Sequence, residues 1–418
     1  MHLKLPDPAG QRTVLFLTSS YPKFPGETSG IFLHYLAQRL GQIGWRVVVL
    51  APNFPNGKKR ETMDGVDVFR FNYFIGNWQK LCYRSGMLPN LKNSLWVWGQ
   101  VPLYLVAMLF AASRLIRGNK FDLIHAHWIL PQGLVARAIE LLFRIPVVLT
   151  VHGGDIFAFK GPLGRLLKAL ALNNATACTA NSRFTERAIL NFSPGLPVHV
   201  IHMGVDVAAF HPEKRNADIR KQLHIRGEMV LFVGRLVEKK GARHLLKAFP
   251  GVLCNFPMAV LVMIGEGTLR QDLEKMAEEL GISNSVRFLG KVSHDELPRY
   301  YASADVFVGP SVTDADGDTE GLGVVFLEAA ASEVPIIGAS TGGISEFLID
   351  GLTGLQVTPK KPEELASQIC RLLRDPEMRR SLGKRARQRA VDRFSWDRVA
   401  RDFSGLFQET IHRAAEGK

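Results

Sequence analysis

Short apolar segments rich in β-branched residues alternate with segments of helical periodicity along almost the whole chain. This alternation predicts an α/β architecture with parallel, doubly wound sheets, because a helix joins each pair of consecutive parallel strands. Strands are predicted in the first half at residues 14–18, 47–50, 66–71, 123–125, 147–151, 177–180 and 198–201. In the second half they are predicted at residues 230–233, 260–264, 286–289, 306–308 and 335–338. Helical spacing separates the strands, for example at residues 31–40, 134–142, 269–280 and 324–331.

The strands and helices form two series with a pause between them. The alternation stops over residues 204–223, where Pro212 and the charged run 213–215 are typical of a linker. We therefore predict two Rossmann-like domains, residues 1–208 and 209–394, that face each other across a cleft. The helical end of the chain, residues 395–418, is expected to pack back on the first domain. Ligands of such sheets bind beyond the carboxyl ends of the strands.

The formal net charge of +13 is confined to the first half of the chain. Residues 1–215 hold 24 Lys and Arg against 11 Asp and Glu, whereas residues 216–418 hold 28 of each kind. A one-sided positive field suits nucleic acid, an anionic membrane surface or an anionic substrate. No RNP sequence, zinc-finger spacing or GxxG clamp accompanies it, so nucleic acid is not an expected partner. A basic protein that is simply soluble is the plain alternative.

One uncharged, strongly apolar segment, residues 93–113, is long enough to cross a bilayer. Gly99, Gln100 and Pro102 interrupt it, and predicted strands of one sheet lie on both sides of it along the chain. A membrane span would place the two halves of that sheet on opposite faces of the membrane. A buried helix, or a helix that lies on the membrane surface near basic residues, is therefore the preferred interpretation.

The cysteines and the start of the chain bear on the compartment. The four cysteines are widely scattered and include no CxxC pair, a pattern typical of reduced thiols rather than of a disulfide framework. Pro6, Asp7 and Pro8 stand where a secretory signal would need an apolar run. We expect a cytoplasmic protein, with peripheral contact to the inner face of the cytoplasmic membrane as an option.

A series of motifs in order resembles the large family 4 of retaining glycosyltransferases, which have the GT-B fold. The second half carries Val233-Gly-Arg235, Lys240-Gly241, Ile264-Gly-Glu-Gly267, Glu320-Gly-Leu-Gly-Val-Val-Phe-Leu-Glu328 and Gly342-Gly343. The first half carries Gly26-Glu-Thr-Ser-Gly30, His125-Ala-His127-Trp128, His152-Gly-Gly-Asp155, Asn181-Ser182 and Met203-Gly204-Val205-Asp206. The resemblance covers nearly the whole chain. It implies transfer of a sugar from a nucleotide-sugar donor with retention of the anomeric configuration.

The Glu-x7-Glu element, Glu320 to Glu328, is expected at the donor site. Gly321 and Gly323 indicate that a helix begins there, which leaves Glu320 in the loop and Glu328 one to two turns inside. Free N–H groups at such a helix start suit a pyrophosphate, so Gly321, Leu322 and Gly323 are donor-binding candidates. The resemblance assigns Glu328 to the nucleotide ribose and Glu320 to the donor sugar. The alternative is an ordinary helix start with acidic residues in its first turn.

Arg235 and Lys240 are expected to stabilise the leaving group. Departure of a nucleoside diphosphate builds negative charge on its oxygens, and fixed cations stabilise that charge in the transition state. The resemblance gives both residues this catalytic role, and Gly234 beside them is a donor-binding candidate. The alternative is a solvated basic turn.

His152 follows a predicted strand and precedes two glycines that leave room for a ligand. The resemblance implies that its ring or carbonyl lies beside the donor sugar and supports the positively charged anomeric carbon. A histidine satisfied within the structure is the alternative. Asp155, His127 and Trp128 are weaker candidates, the last two for the acceptor side.

No metal or other cofactor is expected, since Arg235 and Lys240 would supply the positive charge. The run Asp314-Ala-Asp316-Gly-Asp318 looks like a metal loop. An EF-hand, however, needs its glycine at loop position six and a glutamate at position twelve, whereas Gly317 stands at position four and Val325 at position twelve. We interpret the run as a polar loop over the donor sugar. His125 and His127 could hold zinc only with a third ligand, which is not evident.

The loop before Gly30 departs from the family, whose members often have two adjacent glycines there. This chain has Thr28 and Ser29 before Gly30, which stays a donor-binding candidate through its backbone.

The sequence as a whole predicts a UDP-sugar or GDP-sugar donor and a sugar or lipid-linked acceptor. Bacterial polysaccharide or glycolipid assembly is the expected setting, with an anionic membrane surface as a further partner. Two alternatives stay open: a nucleotide-sugar epimerase of the same fold, and a non-catalytic nucleotide-sugar binding protein.

Overall fold

A computed structural model describes residues 10–24, 27, 29–82, 86–159, 161–173, 175–315, 317 and 319–416. Four residues of the predicted motifs lie outside this part of the chain: Gly26, Thr28, Asp316 and Asp318.

The chain forms two compact units. The first unit contains residues 1–202 and 399–418, and the second contains residues 203–398. The divisions after His202 and Arg398 differ from those predicted after residues 208 and 394. Two short segments explain the difference, because the amide of Val205 donates to the carbonyl of Phe394 and Val205 pairs with Ser395. The ring of Trp396 also lies against Gly204, so both segments belong to the second unit.

The first unit is built on one sheet of eight strands within its described residues, in the order β3-β4-β2-β1-β5-β6-β7-β8. Neighbouring strands are parallel except β3 and β4, which are antiparallel. The strands are β1 (Arg12–Leu17), β2 (Trp45–Pro52), β3 (Arg60–Met63), β4 (Val66–Phe71), β5 (Leu123–His127), β6 (Val147–Val151), β7 (Ala177–Ala180) and β8 (Val198–Val200).

The helices of the first unit lie between these strands along the chain. They are α1 (Ile31–Gln42), α2 (Met87–Asn93), α3 (Leu95–Trp98), α4 (Gln100–Gly118), α5 (Leu134–Phe143), α6 (Gly154–Phe157), α7 (Pro162–Leu172) and α8 (Arg183–Phe192). The apolar segment 93–113, predicted as one helix, is interrupted at Ser94 and Gly99, where α3 begins and ends. Buried side chains of α4, among them Tyr104 and Met108, pack with strand residues such as Leu15 and Val48 in a single core.

The second unit contains a parallel sheet of six strands in its described residues, in the order β11-β10-β9-β12-β13-β14. The strands are β9 (Met229–Val233), β10 (Val260–Ile264), β11 (Val286–Gly290), β12 (Val306–Gly309), β13 (Ile336–Ala339) and β14 (Leu355–Val357). Two apolar clusters form its core. The prediction of parallel, doubly wound sheets is thus confirmed in both units, with the short edge strand β3 as the exception.

The helices of the second unit and of the chain end complete the fold. They are α9 (Ala217–Gln222), α10 (Ala242–Leu253), α11 (Arg270–Glu279), α12 (Leu297–Ser303), α13 (Val324–Ala331), α14 (Ile344–Phe347), α15 (Pro362–Arg374), α16 (Pro376–Phe394) and α17 (Trp396–Glu416). The later part of α17 packs in the first unit, where Phe407 lies 5.3 Å from Trp45 between ring centroids and Ser404 accepts from the Trp45 indole.

The arginines of α16 bind backbone carbonyls of the second unit. Arg387 donates to the carbonyl of Ala331, at the end of α13, and to that of Phe210. Arg379 donates to the carbonyls of Leu372 and Leu373 near the end of α15, at 2.7 and 2.5 Å. Guanidinium groups thus bind main-chain carbonyls near the ends of α13 and α15, where helix carbonyls run out of intrahelical partners.

Candidate functional site

The side chains of Lys240 and Glu320 form an ion pair in the second unit, and both are largely buried. Lys240 ends a single 3-10 turn, Glu238–Lys240, that follows β9. Gly241 then adopts a left-handed conformation with φ of 69°, and a Cβ there would lie 1.8 Å from the carbonyl oxygen of Pro310. A glycine is therefore required at this position. The close packing fixes the backbone that carries the Lys240 ammonium group.

The backbone of Glu320 is held by the glycine pair that follows β13. The amide of Gly343 donates to the Glu320 carbonyl at 3.0 Å. A Cβ on Gly342, which has φ of 54°, would lie 2.0 Å from the same oxygen. Both glycines of the Gly342-Gly343 motif thus position the loop in which Glu320 lies.

Helix α13 begins directly after the Gly321-Leu322-Gly323 sequence, as predicted. Gly323 caps it with φ of 76°, and a Cβ at this residue would meet the ring of Phe326 at 2.6 Å. Leu322 is buried in the core below. The first amides of a helix have no intrahelical acceptor and carry partial positive charge, so this helix start can bind an anion.

Glu328 lies one turn inside α13 and is buried. Its carboxylate accepts a hydrogen bond from the hydroxyl of Tyr301, on α12, at 2.8 Å. Burial raises the pKa of Glu328, while the Tyr301 hydroxyl, His294 and Lys240 act in the opposite direction. The carboxylate has one oxygen engaged by Tyr301, so the other is available as an acceptor for a ligand hydroxyl.

Arg235 differs from Lys240 in its surroundings. It lies two residues after β9, its side chain is exposed, and that side chain makes no ion pair or hydrogen bond with residues of the described part of the chain. The backbone here is constrained by Gly234, whose amide donates to the carbonyl of Ile264, and by Gly265, where a Cβ would lie 2.0 Å from the Gly234 oxygen. A guanidinium group on a fixed backbone and in solvent is suited to bind an incoming anion.

Thr319 was not predicted from the sequence. It immediately precedes Glu320, its side chain is buried, and its hydroxyl has no hydrogen-bond partner among the described residues. Buried hydroxyls are usually paired, so this one is a candidate for a ligand contact. Neither Thr319 nor Tyr301 belongs to a recognisable short motif, and no spacing in the sequence marks them.

In the first unit, His152 follows β6 and its backbone is held on both sides. Its amide donates to the carboxylate of Asp155 at 3.1 Å, and its carbonyl accepts from the side-chain amide of Asn181 at 3.1 Å. Gly153, with φ of 97°, supplies the left-handed turn that lets α6 begin at once. Burial lowers the pKa of His152 to about 3, so its imidazole is neutral at physiological pH.

Asp155 is a structural acceptor rather than an exposed acid. Its second oxygen accepts from the amide of Ile129 at 2.9 Å, which links the ends of β5 and β6. Burial raises its pKa to about 6, against the lowering effect of these backbone hydrogen bonds. Lys168, also buried, is close enough for Asp155 to raise its pKa, although burial lowers that pKa overall. The geometry makes Asp155 a residue that positions His152.

His127 and His125, both buried on β5, form a row with the half-buried His152. Nδ1 of His127 lies 3.3 Å from Nε2 of His152, and the rings of His125 and His127 are 4.0 Å apart between centroids. Burial lowers the pKa of both residues well below the usual value. Nε2 of His125 is bound to the hydroxyl of Thr150 at 2.7 Å. Nδ1 of His125 and Nε2 of His127 have no partner among the described residues.

Trp128 and Gly30 lie near His152 and α1. The Trp128 ring is 4.9 Å from that of His152 between centroids, and Phe32, on the first turn of α1, is 5.1 Å from His152. Gly30 caps α1 with φ of 73°, and a Cβ there would lie 2.5 Å from the carbonyl oxygen of Ser20. The rings of Phe32 and Trp128 thus lie beside His152, and the Gly30 backbone lies against the loop that follows β1.

Among the described residues, no group of three or more His, Cys, Asp or Glu is placed to hold a metal ion. Asp316 and Asp318 of the aspartate run lie outside those residues, so their predicted place over the donor sugar stays a prediction.

Two family models match the chain in succession. Glycosyltransferase Family 4 matches residues 29–209, and Glycosyl transferases group 1 matches residues 215–389. A GDP-mannose-dependent alpha-(1-6)-phosphatidylinositol monomannoside mannosyltransferase of Mycobacterium tuberculosis is 31% identical over 292 residues, which cover 69% of this chain and 76% of that protein. The chain belongs to glycosyltransferase family 4. The resemblance noted in the sequence is thereby confirmed.

Further relatives and solved structures match nearly the full length of this chain. An uncharacterised glycosyltransferase of Methanocaldococcus jannaschii is 29% identical over 413 residues, 94% of this chain and 97% of that protein. Sucrose-phosphate synthase from Thermosynechococcus elongatus superposes with a TM-score of 0.76 at 24% identity, covering 96% of this chain and all of that one. Anabaena HepE in complex with UDP and glucose gives 0.71 at 23% identity, covering 94% and 99%. The two Rossmann-like domains are those of the GT-B fold.

Proposed function

We propose that this family 4 glycosyltransferase moves a hexosyl group from a nucleotide-sugar donor to an acceptor with retention of the anomeric configuration. The observation that carries the proposal is the Lys240–Glu320 pair in the loops next to the start of α13. It places a fixed cation, a carboxylate and free helix amides in one unit. Together these groups match the leaving diphosphate, the sugar hydroxyls and the developing charge of such a transfer.

Different groups of the second unit bind the diphosphate, the ribose and the sugar of the donor. The segment Gly321-Leu322-Gly323 and the start of α13 that follows it bind the diphosphate, whose oxygens also pair with Arg235 and Lys240. The free oxygen of Glu328 accepts the ribose hydroxyls. Glu320 accepts a hydroxyl of the transferred sugar, and its ion pair with Lys240 holds its carboxylate in place.

Bond cleavage is driven by stabilisation of both fragments. As the glycosidic C–O bond breaks, the diphosphate gains negative charge that Arg235 and Lys240 stabilise, which is typically worth about 10²–10³ in rate for one such group. The sugar gains oxocarbenium character, which the neutral, electron-rich His152 supports. Asp155 and Asn181 hold His152, and His127 orients its ring. The proton of the attacking acceptor hydroxyl leaves with the diphosphate oxygen, on the same face of the sugar.

The relatives indicate the class of donor and acceptor. One is named for dependence on GDP-mannose and for a phosphatidylinositol monomannoside acceptor, and one structural neighbour holds UDP and glucose. We propose a UDP- or GDP-hexose donor and a sugar or lipid-linked acceptor, used in polysaccharide or glycolipid assembly at the cytoplasmic face of a membrane. No metal step is included, because the two cations supply the positive charge.

The test is binding followed by product analysis. A thermal-shift panel of UDP-, GDP- and ADP-hexoses identifies the donor, because a ligand that binds only the folded chain raises the unfolding temperature. The identified donor is then incubated with and without candidate acceptors, and the products are analysed. Free nucleoside diphosphate together with a new α-linked product is the expected result for an α-linked donor. An altered free sugar from the donor alone would indicate an epimerase, and binding without any turnover would indicate a sensor.

A further inference from the structure

The first unit exposes large apolar side chains on three neighbouring helices, α3, α4 and α7. Among them, Leu95, Val106, Phe110, Leu163 and Leu166 are between 57% and 89% exposed. We call these five residues the apolar face. Scattered apolar residues are normal on a soluble surface, whereas a concentration of this kind marks an interaction site.

An apolar groove opens between α4 and α7 beside this face. It has a volume of about 320 Å³, and it is lined by apolar side chains and glycines alone. Trp98, Val101 and Leu105 form one side, and Leu163 and Leu167 form the other. Among the described lining residues, Trp98 alone has a hydrogen-bonding group in its side chain, and its indole N–H donates to the carbonyl of Leu91 at 3.1 Å. The groove therefore suits a hydrocarbon chain better than a sugar or a nucleotide.

The helix that carries the groove belongs to the core of the first unit. Residues 95–118 are long and apolar enough to cross a membrane by length and composition. On the inner side of α4, however, Tyr104, Met108 and Ala112 are fully buried, and the Tyr104 ring packs on those of Phe71 and Tyr73 at 5.2 and 5.3 Å. Removing α4 from this core would expose it, so the helix can lie on a bilayer but not pass through it.

The charge around the face complements an anionic surface. Residues 72–121, which include α2 to α4, contain six Lys and Arg and no Asp or Glu. Residues 156–185, which include α7, contain four Lys and Arg and again no acidic residue. Lys92, Arg117 and Arg165 are exposed among them. Basic residues next to an apolar face are typical of helices that bind anionic lipid surfaces.

From these observations we infer that the apolar face binds an anionic lipid bilayer and that the groove takes one hydrocarbon chain of a lipid molecule. The inference deepens the proposed function, since it makes the acceptor a membrane lipid, and it rests on that function only for the identity of the acceptor. A lipid drawn partly into the groove would present its headgroup at the protein surface. The bilayer would thus supply the acceptor directly.

The first experiment measures sedimentation of the full chain with vesicles, at low and high salt. Vesicles of phosphatidylglycerol and phosphatidylcholine in equal parts should bind the chain, and pure phosphatidylcholine should bind it much less. Val106→Gln with Phe110→Gln should weaken binding at least about tenfold, because each removes apolar area from the contact. Lys92→Gln should weaken it about fivefold. The matched control is Met258→Gln, at an apolar residue of the second unit that is 56% exposed, and this variant should bind vesicles as the wild type does.

The second experiment tests the groove without a bilayer. Monomeric lysophosphatidylglycerol with a brominated acyl chain should quench the fluorescence of Trp98, which lines the groove, and Trp98→Phe should lose most of that quenching. Leu105→Trp should fill the groove and block binding of the probe. The unfolding temperature of each variant, and its binding of the nucleotide-sugar identified above, show that the fold and the donor site are intact.

The outcomes separate this inference from the proposed function. Absence of binding to anionic vesicles, or binding that the Val106 and Phe110 substitutions leave unchanged, overturns the bilayer contact. Vesicle binding without quenching of Trp98 overturns the groove assignment. A stable dimer in the absence of lipid, lost on substitution of Val106 and Phe110, would assign the face to a second copy instead. A chain that binds lipid but neither binds nor turns over any nucleotide-sugar would refute the proposed function alone.

Discussion

The ammonium group of Lys240 donates a hydrogen bond to the carboxylate of Glu320, although the two residues are 80 positions apart in the chain. Both residues belong to motifs of the sequence, but the sequence does not predict that they contact each other. We expect Lys240→Met and Glu320→Gln each to lower kcat/KM by about 10²–10³. Because the groups are in direct contact, the double variant should lose less than the product of the two factors. The measurement is a double-mutant cycle with the identified donor.

Substitutions of the same two residues should affect nucleotide binding and sugar transfer differently. Lys240→Met should also weaken nucleoside diphosphate binding, since a charged hydrogen bond is worth about 1.5–3 kcal/mol, whereas Glu320→Gln should leave that binding nearly unchanged. Calorimetric titration with the nucleoside diphosphate measures both. Wild-type turnover in the Glu320 variant would contradict the catalytic assignment.

Arg235 should matter for activity and not for stability. Its side chain is exposed, and a surface substitution usually changes the free energy of unfolding by no more than about 0.5 kcal/mol. Arg235→Ala should nevertheless lower kcat/KM by about 10²–10³, with partial recovery in Arg235→Lys. The control is Lys239→Ala, which removes a basic residue from the 3-10 turn that follows shortly after Arg235, and it should retain activity. Equal effects of the Arg235 and Lys239 substitutions would show that only the general positive charge of this segment matters.

Glu328 should give donor binding a dependence on pH. Its pKa is raised by burial, so protonation begins at a higher pH than for an exposed glutamate, and donor affinity should fall as the pH falls through that range. The Tyr301 hydroxyl lowers this pKa, so Tyr301→Phe should move the fall in affinity to higher pH. Glu328→Gln should abolish this fall and raise the donor KM more than it changes kcat. The Kd of the donor across pH measures all three, and a wild-type profile in Tyr301→Phe would contradict the role of the hydrogen bond.

The row His125, His127 and His152 should make the first unit sensitive to acid. Each pKa is lowered by burial, whereas the unfolded chain takes up protons on these residues near pH 6.5. The unfolded state then binds more protons than the native state. The free energy of unfolding should therefore decrease as the pH falls below about 6.5, by about 1.4 kcal/mol per pH unit for each histidine.

Asp155 has the opposite effect on how the free energy of unfolding depends on pH. Its folded pKa of about 6 lies above the unfolded value, so its contribution is present at low pH and is lost as the pH rises from about 4 through about 6. Asp155→Asn should remove this compensation and make the loss of stability in that interval steeper. Chemical unfolding at several pH values measures the slope.

Gly342 should resist substitution because of its contact with Glu320. Gly342→Ala would place a Cβ 2.0 Å from the Glu320 carbonyl oxygen, in addition to the left-handed backbone. Gly281→Ala has the same backbone handedness with nothing within 4 Å, so it isolates the cost of the conformation, about 1–3 kcal/mol. We expect Gly342→Ala to lose more stability than Gly281→Ala and, unlike it, to lose activity. Similar activity in the two variants would mean that the glycine contact does not position Glu320.

The strands and the start of α13 could be predicted because local signals specify them. The predicted strand at residues 66–71 coincides with β4, and the helix predicted at 324–331 coincides with α13. Short apolar runs and glycines with positive φ carry this information within a few residues. Strand β3 was missed because its residues, Arg60 to Met63, are mostly polar and gain their order by pairing with β4.

The contacts between motifs could not be predicted in the same way. Lys240 meets Glu320 because β9 and β12 are neighbours in the sheet, so the loops after their carboxyl ends are adjacent. Tyr301 reaches Glu328 because α12 packs on α13, and nothing in the sequence distinguishes this tyrosine from any other core residue. Strand order and helix packing depend on the whole chain, which a local pattern does not contain.

The carbonyl contacts of the α16 arginines have a consequence for how this chain tolerates random mutation. One guanidinium nitrogen of Arg387, Nη1, donates to two separate main-chain oxygens, those of Ala331 and Phe210. A lysine keeps the charge, but its ammonium group is compact, strongly hydrated and carried on a flexible stem, so an exchange that looks conservative would weaken the contact with the end of α13. Random mutagenesis of α16 in a search for altered donor specificity would then yield poorly folded chains and not new specificities.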